Sequence, residues 1–332
     1  MRFGLALPHY DFSLPGGAPI TTEAALDWAR RAEALGFDEV WVSDHLFYSF
    51  GRYGADPAPI GSLEATTTLA AVAAVTDRVR LGSLVLCASF RHAGLLAKQA
   101  ATLDQLSGGR LDLGLGAGWL EAEFDAFGLR FGTLGERYAV LEETVEALDR
   151  LLGADAPVTY QGSVVALHDA PRSPDVVQRP IPIWLGGAGG PRLLRLAASH
   201  AAGWNTVWRV DPARYAVQLE RVRAACEAAG RDPATFRLTV GLYGLAGDTD
   251  DDARTVFERG RAAFPGDAMR DDTWDTWRAT TLSGDAAAIR ERLAAFEALG
   301  VEQIILSPWV LPFAVPEPEQ VERFAAHLGL GG

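Results

Sequence analysis

The stretch "FRHAGLLAKQAATLDQLSGGRLDLGLGAGWLEAEFDAFG" covers residues 90–128 and carries the most structural information in the chain. Apolar residues recur at helical spacing over 93–107, and Gly108-Gly109 marks the end of the predicted helix. Residues 110–116 form a short apolar run that is typical of a buried strand. The stretch therefore predicts a helix that leads into a strand, with a second glycine-rich turn after that strand.

The same alternation of strand and helix extends in both directions along the chain. Eight strand-then-helix units predict a closed (β/α)₈ barrel, the TIM-barrel fold. A doubly wound open sheet is the alternative, but an early strand in that fold usually leads into a Gly-x-Gly-x-x-Gly turn, whereas the first strand here ends in "LPHY". The predicted strands are 3–7, 38–43, 78–86, 110–116, 181–187, 203–208, 235–246 and 302–308, and the predicted helices are 21–36, 63–76, 93–107, 135–152, 191–201, 212–229, 249–263, 284–299 and 317–328.

We expect a single barrel domain over residues 1–332, because no linker or low-complexity tract interrupts the pattern. Three connections, 46–62, 153–180 and 264–282, are longer than ordinary loops and are predicted to be functional or lid-like insertions after strands 2, 4 and 7. The second contains a predicted hairpin at 158–167. The third contains two tryptophans, Trp274 and Trp277, that could line or cover an apolar pocket.

The composition excludes several classes of protein. A formal net charge of −13 argues against nucleic-acid and anionic-membrane binding, since both need a basic surface. No apolar stretch approaches the length of a membrane span, and the apolar run near Met1 is too short for a signal peptide. Two cysteines, Cys87 and Cys226, give no disulfide framework or cysteine zinc site. We therefore expect a cytoplasmic enzyme that acts on a small molecule.

Catalytic residues in such barrels lie at the carboxyl ends of the strands. His45 is the strongest candidate for proton transfer there, because imidazole titrates near neutrality and Asp44 is its neighbour. The alternative is a histidine that only hydrogen-bonds a loop. Adjacent residues of a strand point to opposite faces, so Asp44 need not contact His45.

Other chemistries find little support among the residues. The six histidines show no paired metal-ligand spacing, so no metal site is expected. The only lysine, Lys98, lies in a predicted helix, which disfavours a Schiff-base enzyme, and no pair of glutamates at strand ends suggests a glycosidase. The glycine turns in 113–119 and 185–191 could hold a phosphate on backbone N–H groups, or could be plain connections.

Residues 90–128, together with "GFDEVWVSDHL" (36–46), "VRLGSLVL" (79–86) and "IPIWLGGAGGPRLLRLAASHAAGWN" (181–205), resemble the luciferase-like monooxygenase superfamily. The resemblance extends from the first residue to about residue 308. It implies a (β/α)₈ barrel, often dimeric, that binds FMN or the deazaflavin coenzyme F420 at the carboxyl face of the barrel. The Ser-Asp-His sequence at 43–45 is similar to that of members of the F420-dependent branch.

The resemblance also implies roles for individual residues. Asp44 and His45 would face the deazaflavin ring, with His45 as acid/base and Asp44 orienting the cofactor or a loop. A non-proline cis peptide is expected at Leu84-Val85, beneath the ring. Arg91 could neutralise the cofactor tail or simply pair with a carboxylate. The expected cofactor-binding residues are Asp44, Ser83, Leu84, Val85, Ala117, Gly118, Gly186, Gly187, Asn205, Thr206 and Val207.

The expected substrate follows from one departure from the family pattern. Members that act on glucose 6-phosphate carry an acidic residue where this chain has Trp119, and no basic cluster for a sugar phosphate is evident. An apolar or aromatic substrate is therefore expected, although each tryptophan could instead pack in the core. The expected pocket residues are His9, Trp119, Trp208 and Trp309.

Three functions are compatible with these observations. The first is an F420-dependent oxidoreductase that moves a hydride between the deazaflavin C5 and a small organic substrate. The second is an FMN-dependent monooxygenase that uses O₂ and a separate flavin reductase. The third is a non-catalytic flavin-binding protein. A homodimer is expected from the family resemblance, while the alanine-rich helix 69–75 would suit either a dimer interface or packing on the barrel.

Overall fold

The computed structural model describes residues 1–331, which form a closed barrel of eight parallel strands surrounded by helices. In barrel order the strands are β1, β2, β3, β5, β8, β9, β10 and β12, and β12 closes on β1. The predicted (β/α)₈ barrel is thus confirmed. The strands are β1 (Arg2–Ala6), β2 (Glu39–Val42), β3 (Arg80–Ser83), β4 (Leu86–Cys87), β5 (Leu111–Gly116), β6 (Val158–Gln161), β7 (Ala166–Ala170), β8 (Ile183–Gly186), β9 (Gly203–Thr206), β10 (Arg237–Ala246), β11 (Leu282–Gly284) and β12 (Gln303–Ser307).

Each predicted helix is present, with small differences at its ends. Side-chain caps define several starts: Thr133 and Glu136 form a reciprocal capping box at the start of α5. The helices are α1 (Thr22–Ala34), α2 (Ala65–Ala73), α3 (Ala93–Leu106), α4 (Glu121–Ala126), α5 (Leu134–Gly153), α6 (Pro191–His200), α7 (Pro212–Ala228), α8 (Asp250–Ala263), α9 (Trp274–Thr280), α10 (Ala286–Ala298) and α11 (Pro318–Leu328). Short α4 and α9, together with strand β11, were not predicted.

The core lies between the barrel and its outer helices. The strands are buried on both faces, as a parallel sheet covered by helices requires. The alanine-rich helix α2 buries Leu69, Val72 and Ala73 in this layer. That packing is one of the two alternatives for the face of 69–75.

The third barrel strand is interrupted at Leu84-Val85. Strand β3 pairs with the start of β5, the chain then leaves the sheet, and β4 resumes pairing with the end of β5. The Leu84-Val85 peptide is cis, as predicted, and a second non-proline cis peptide, Val207-Trp208, was not predicted. Ser83 bridges the gap, since its hydroxyl donates to the Gly114 carbonyl (3.0 Å) and accepts from the Gly114 N–H (2.9 Å).

The predicted insertions differ in position and structure. The segment 153–180 follows helix α5 rather than a strand. Its hairpin β6–β7 packs on α5, where Tyr160 donates to Glu146, and beyond the hairpin the Gln178 side chain donates to Asp104 of α3. The prediction of a lid there is therefore wrong. The segment 264–282 likewise follows a helix, α8, rather than the seventh barrel strand, and it contains α9. The segment 46–62 lies at the carboxyl end of β2, as predicted.

The amino-terminal end of the barrel is filled by a buried polar network centred on Glu39. Trp41 donates to the Glu39 carboxylate at 3.1 Å, Gln303 donates to the same oxygen, and the Arg2 guanidinium lies 3.0 Å from the other oxygen. Burial, followed by the charge of Asp112, raises the pKa of Glu39 to about 8. The folded protein therefore holds a proton on Glu39 where the unfolded chain would have lost it.

This pKa predicts that stability falls as the pH rises. The pKa of Glu39 is about 8 in the folded protein against an ordinary 4.5, so between these pH values the native state binds more protons than the unfolded state and loses stability with rising pH. We expect Glu39→Gln, which mimics the protonated acid, to remove part of this loss. Thermal melting of both proteins across this range measures it. Parallel pH dependences of the two midpoints would show that Glu39 does not titrate as described.

Candidate active site

A cavity of about 570 Å³ opens at the carboxyl ends of the barrel strands. It is the position at which active sites of this fold lie. The cavity is aromatic on one side and glycine-rich on the other. Its lining residues are Tyr10, Ser43, Asp44, His45, Tyr48, Arg52, Tyr53, Leu84, Val85, Cys87, Gly116, Ala117, Gly118, Trp119, Glu123, Leu134, Tyr138, Leu141, Gly186, Gly187, Ala188, Leu193, Asn205, Val207, Trp208, Tyr243, Pro312 and Phe313.

His45 is held in this cavity by a carboxylate that the sequence did not single out. Its Nδ1 lies 3.0 and 3.2 Å from the two oxygens of Glu123, and the Leu46 N–H donates to the same carboxylate at 2.8 Å. The Glu123 side chain is only 2% exposed and that of His45 is 13% exposed. Because a carboxylate only accepts, Nδ1 carries the proton of this hydrogen bond. That leaves Nε2 without a partner in residues 1–331.

Glu123 reaches His45 because of the short helix α4. This helix follows β5, and it is anchored by Phe124, whose fully buried ring packs 5.1 Å from Phe90 and 5.0 Å from Phe131. Glu123 precedes Phe124 and therefore faces the cavity beside it. Sequence reasoning looked for site residues at strand ends and so missed it. The available signal was an acidic residue next to an apolar anchor in "LEAEF" (120–124).

Asp44 has a different set of partners from its neighbour. Its carboxylate accepts two hydrogen bonds from Arg91 (2.6 and 2.8 Å) and one from the Cys87 N–H (2.8 Å). Arg91 also pairs with Glu64, so its charge is fully used inside the protein. Of the two alternatives for Arg91, the structure shows pairing with carboxylates. Asp44 makes no hydrogen bond to His45, both of which lie beyond the end of β2, and it fixes the chain between β3 and α3.

Glycines on β5 and β8 make room for the floor of the cavity. A Cβ on Gly116 would lie 2.6 Å from a methyl group of Val85, and a Cβ on Gly186 would lie 2.7 Å from the other methyl group. On Gly114 a Cβ would meet the Ser83 carbonyl oxygen at 1.9 Å. The interrupted third strand therefore requires glycine at all three positions, and Val85 lies between two strands as a smooth apolar floor.

The far side of the cavity contains an unused acceptor. Asn205 donates from its amide nitrogen to Thr239 at 2.8 Å, while its Oδ1 is buried without a protein partner. Next to it the Gly187 N–H donates to the Asn205 backbone carbonyl at 3.1 Å. A buried acceptor without a partner is costly. A flat apolar floor beside such an acceptor fits a flavin or deazaflavin ring, which has polar N–H groups along its edge.

Stacked aromatic rings form the opposite wall. Trp208 stacks on Tyr243 (5.4 Å between ring centroids), and Tyr243 stacks on Trp277 (5.6 Å). Trp277 thus supports the wall from behind, and both Trp274 and Trp277 are buried. Burial raises the pKa of Tyr243 and of Tyr48 well above its ordinary value. These phenols stay protonated near neutral pH and offer hydrogen-bond donors rather than bases.

The structure places most of the predicted site residues around this cavity. Asp44, His45, Leu84, Val85, Ala117, Gly118, Gly186, Gly187, Asn205, Val207, Trp119 and Trp208 line it. Ser83, Thr206, His9 and Trp309 do not line it. Trp309 packs beside Gly260 in the core, and His9 is fully buried beneath Tyr10, where burial and the charge of His45 lower the pKa of His9 to about 3.

The described residues contain neither a metal-binding cluster nor a membrane-spanning helix. Within 1–331, no group of three histidine, cysteine, aspartate or glutamate side chains is arranged to hold a metal ion. Across the described helices, none is both long and apolar enough to cross a membrane. The thiol of Cys87 faces the cavity, but burial raises its pKa to about 12, so it is a poor nucleophile.

The sequence resemblance is supported by comparison with known proteins. Residues 1–303 match the family described as Luciferase-like monooxygenase. The chain belongs to this family. Its relatives include F420-dependent glucose-6-phosphate dehydrogenases and an FMNH(2)-dependent monooxygenase, and the chain is accordingly an oxidoreductase of the luciferase-like family with a flavin or deazaflavin cofactor.

Individual relatives differ in their cofactor. An F420-dependent glucose-6-phosphate dehydrogenase of Microbacterium testaceum is 35% identical over 198 residues, which span 58% of this chain but only 55% of the relative. An FMNH(2)-dependent dimethylsulfone monooxygenase of Pseudomonas putida is 28% identical over 90% of this chain and 85% of the relative. A solved F420-dependent secondary alcohol dehydrogenase, with an F420-acetone adduct, covers the whole chain with a TM-score of 0.79 and 20% identity, and so shares the fold.

The floor of the cavity gives a direct test. We expect Gly116→Ala to displace Val85, since its Cβ would approach the Val85 methyl group to 2.6 Å, and to weaken binding of the flavin or deazaflavin about tenfold or more. Gly153→Ala, whose Cβ would enter open space at the end of α5, is the matched control. Cofactor titration and thermal melting of both variants measure the effect. Unchanged cofactor affinity in Gly116→Ala would contradict the assignment of this floor.

Proposed function

We propose that the protein is an F420-dependent oxidoreductase that transfers a hydride between the deazaflavin and a small organic substrate, with His45 as the acid/base. The observation that carries the proposal is the buried Glu123–His45 pair, which presents a free Nε2 to a cavity with an apolar floor. The F420-dependent relatives support the choice of cofactor. The resemblance of 43–45 to the F420 branch supports it independently.

In this proposal the cofactor would lie on Val85. Gly186 and Gly187 would approach its far edge, the Asn205 Oδ1 would accept from an N–H group of the ring, and Asp44 would hold the loop beside it. The bound cofactor would supply or accept the hydride at its C5 carbon. The residues of this chain would bind and orient it, and the aromatic wall would limit the access of water.

His45 would exchange the proton that accompanies the hydride. Glu123 engages Nδ1 and leaves Nε2 free, which is the arrangement of an oriented general acid/base. The buried phenols cannot serve as the base, because their pKa values are raised. The carboxylates of Asp44 and Glu123 are already engaged. His45 would thus be the group that carries the proton.

An apolar or aromatic substrate fits this cavity better than a sugar phosphate. Arg52 is the only arginine or lysine among the lining residues, whereas a phosphate group is usually held by several cations or by backbone N–H groups. Trp119 occupies the place at which an acidic residue is expected in members that act on glucose 6-phosphate. Trp119 and Trp208 would contact the substrate directly. A homodimer remains a prediction.

The second candidate is an FMN-dependent monooxygenase with a separate reductase. The similarity to the FMNH(2)-dependent relative favours it, because that match covers 90% of this chain against 58% for the F420-dependent dehydrogenase. The two candidates differ in their need for oxygen. Reduced FMN would be consumed together with O₂ in the second case only.

Cofactor titration is the first test of the proposal. We expect the purified protein to bind F420 well below micromolar concentration, as a cavity with a preformed floor and acceptor favours, and to bind FMN much more weakly. Fluorescence titration with each cofactor measures this, and oxygen uptake with reduced FMN is the control. Tight FMN binding with O₂ consumption would replace the proposal by the monooxygenase. Tight binding of either cofactor without any turnover would favour a non-catalytic protein.

The acid/base assignment predicts a graded loss of activity. We expect His45→Ala to lower turnover by roughly 10²–10⁴-fold with cofactor affinity nearly unchanged. Glu123→Gln should lower turnover less, because the amide oxygen of the glutamine can still accept from Nδ1 and keep the imidazole oriented. Steady-state kinetics of both variants measure the two effects. Turnover that survives His45→Ala would remove the proposed role, and a loss in Glu123→Gln as large as that in His45→Ala would contradict the graded effect.

A further inference from the structure

Arg52 is a cation at the cavity whose charge the protein does not neutralise. It lies in the short 3₁₀ turn Gly51–Tyr53, in the connection after β2. Its guanidinium lies 4.5 Å from the centroid of the Trp119 ring and 5.4 Å from that of Tyr53. Within residues 1–331 it forms neither an ion pair nor a hydrogen bond. Two aromatic faces therefore hold the group in place while its N–H donors remain free.

The other charged groups of the cavity are compensated. Arg91, which lies behind Asp44, pairs with Asp44 and Glu64. Glu123 is engaged by His45 and by the Leu46 N–H. The cavity therefore contains no unpaired carboxylate that would repel an anion, and its free charge is positive, in a chain with a formal net charge of −13.

The remaining free polar groups of the same wall are also donors. Neither the Tyr243 hydroxyl nor the Trp208 indole N–H has a hydrogen-bonding partner in the described part of the chain, and both residues line the cavity. An indole N–H can only donate, and the Tyr243 phenol stays protonated because burial raises its pKa. Aromatic faces with free donors and one free cation suit a flat molecule that bears acceptor oxygens.

We infer that the substrate of this site carries a carboxylate on a flat apolar body, and that Arg52 binds this carboxylate. The inference rests on the proposed function and names its substrate class. A guanidinium offers two parallel N–H groups that match the two oxygens of a carboxylate. A phosphate, with its higher charge, would leave a net negative charge beside a single cation. Trp119 lies between Arg52 and His45, 5.4 Å from the His45 ring, and so connects the anion site to the reacting end.

The test compares a charged probe with a neutral probe of the same shape on the cofactor-loaded protein. We expect 2-naphthoate to bind about tenfold more tightly than 2-naphthamide, and Arg52→Gln to abolish this preference by weakening only the naphthoate, as loss of a charge-assisted pair requires. Arg214→Gln, which changes an exposed arginine of α7 that forms no ion pair with any residue in 1–331, is the matched control. Calorimetric titration of the wild type and the two variants measures the affinities.

Two outcomes would overturn the inference. Equal affinities of the wild type for 2-naphthoate and 2-naphthamide would show that the site does not select a carboxylate. Weaker binding of the cofactor itself in Arg52→Gln, with an unchanged preference between the probes, would assign the cation to the anionic tail of the cofactor. The preference between the two probes can be measured with whichever cofactor the protein binds. Failure of the F420 titration would therefore contradict the proposed cofactor, whereas equal binding of the two probes would contradict the carboxylate site.

Discussion

The position of the Val85 side chain between strands β5 and β8 is the constraint on which the rest of the site depends. The third barrel strand leaves the sheet at Leu84, and Ser83 takes over its hydrogen bonds to Gly114. The neighbouring strands can accept the displaced Val85 only because Gly116 and Gly186 lack a Cβ. A barrel that is normally closed by packed side chains thereby gains a flat apolar floor at its carboxyl end. The glycines in 113–116 and 185–187 are therefore required for the packing of this floor.

Pairing of charges determines which groups above the floor remain reactive. The carboxylates of Asp44 and Glu123 are both nearly buried, and a buried carboxylate is tolerated only with partners. Asp44 uses Arg91, and Glu123 uses His45 together with a backbone N–H. Each pairing engages the carboxylate in hydrogen bonds and holds its partner in a fixed position. What remains is the Nε2 side of one imidazole and the guanidinium of Arg52, next to phenols that stay protonated, so His45 would be the proton carrier above the floor.

The sequence predicted the barrel and many of the residues that line the cavity, because both depend on local patterns. The periodicity of strands and helices predicted that His45 lies at the carboxyl end of the barrel. The resemblance to the family predicted the cis peptide at Leu84-Val85. Glu123 was missed, since its contact with His45 joins residues 78 positions apart and depends on how Phe124 anchors α4. Trp309 was expected in the pocket but packs in the core, because the position of a side chain beyond a strand end is decided by loop packing. Asp44 and His45 also lie beyond a strand end, and their different partners, Arg91 and Glu123, come from the connections packed around them.

The barrel strands and the connections between them contribute different residues to this site. The floor and the free Asn205 acceptor belong to β8, β9 and the interrupted third strand, whereas Glu123 and Arg52 belong to the connections after β5 and β2. Strand positions are restricted by barrel closure, and connections are free to change in sequence and length. The same barrel is shared with relatives described as dehydrogenases of a sugar phosphate or a secondary alcohol and as a monooxygenase of a sulfone. Cofactor contacts on the strands and substrate contacts on the connections would allow that range, and the specificity of this chain would then depend on the residues around Trp119 rather than on the barrel.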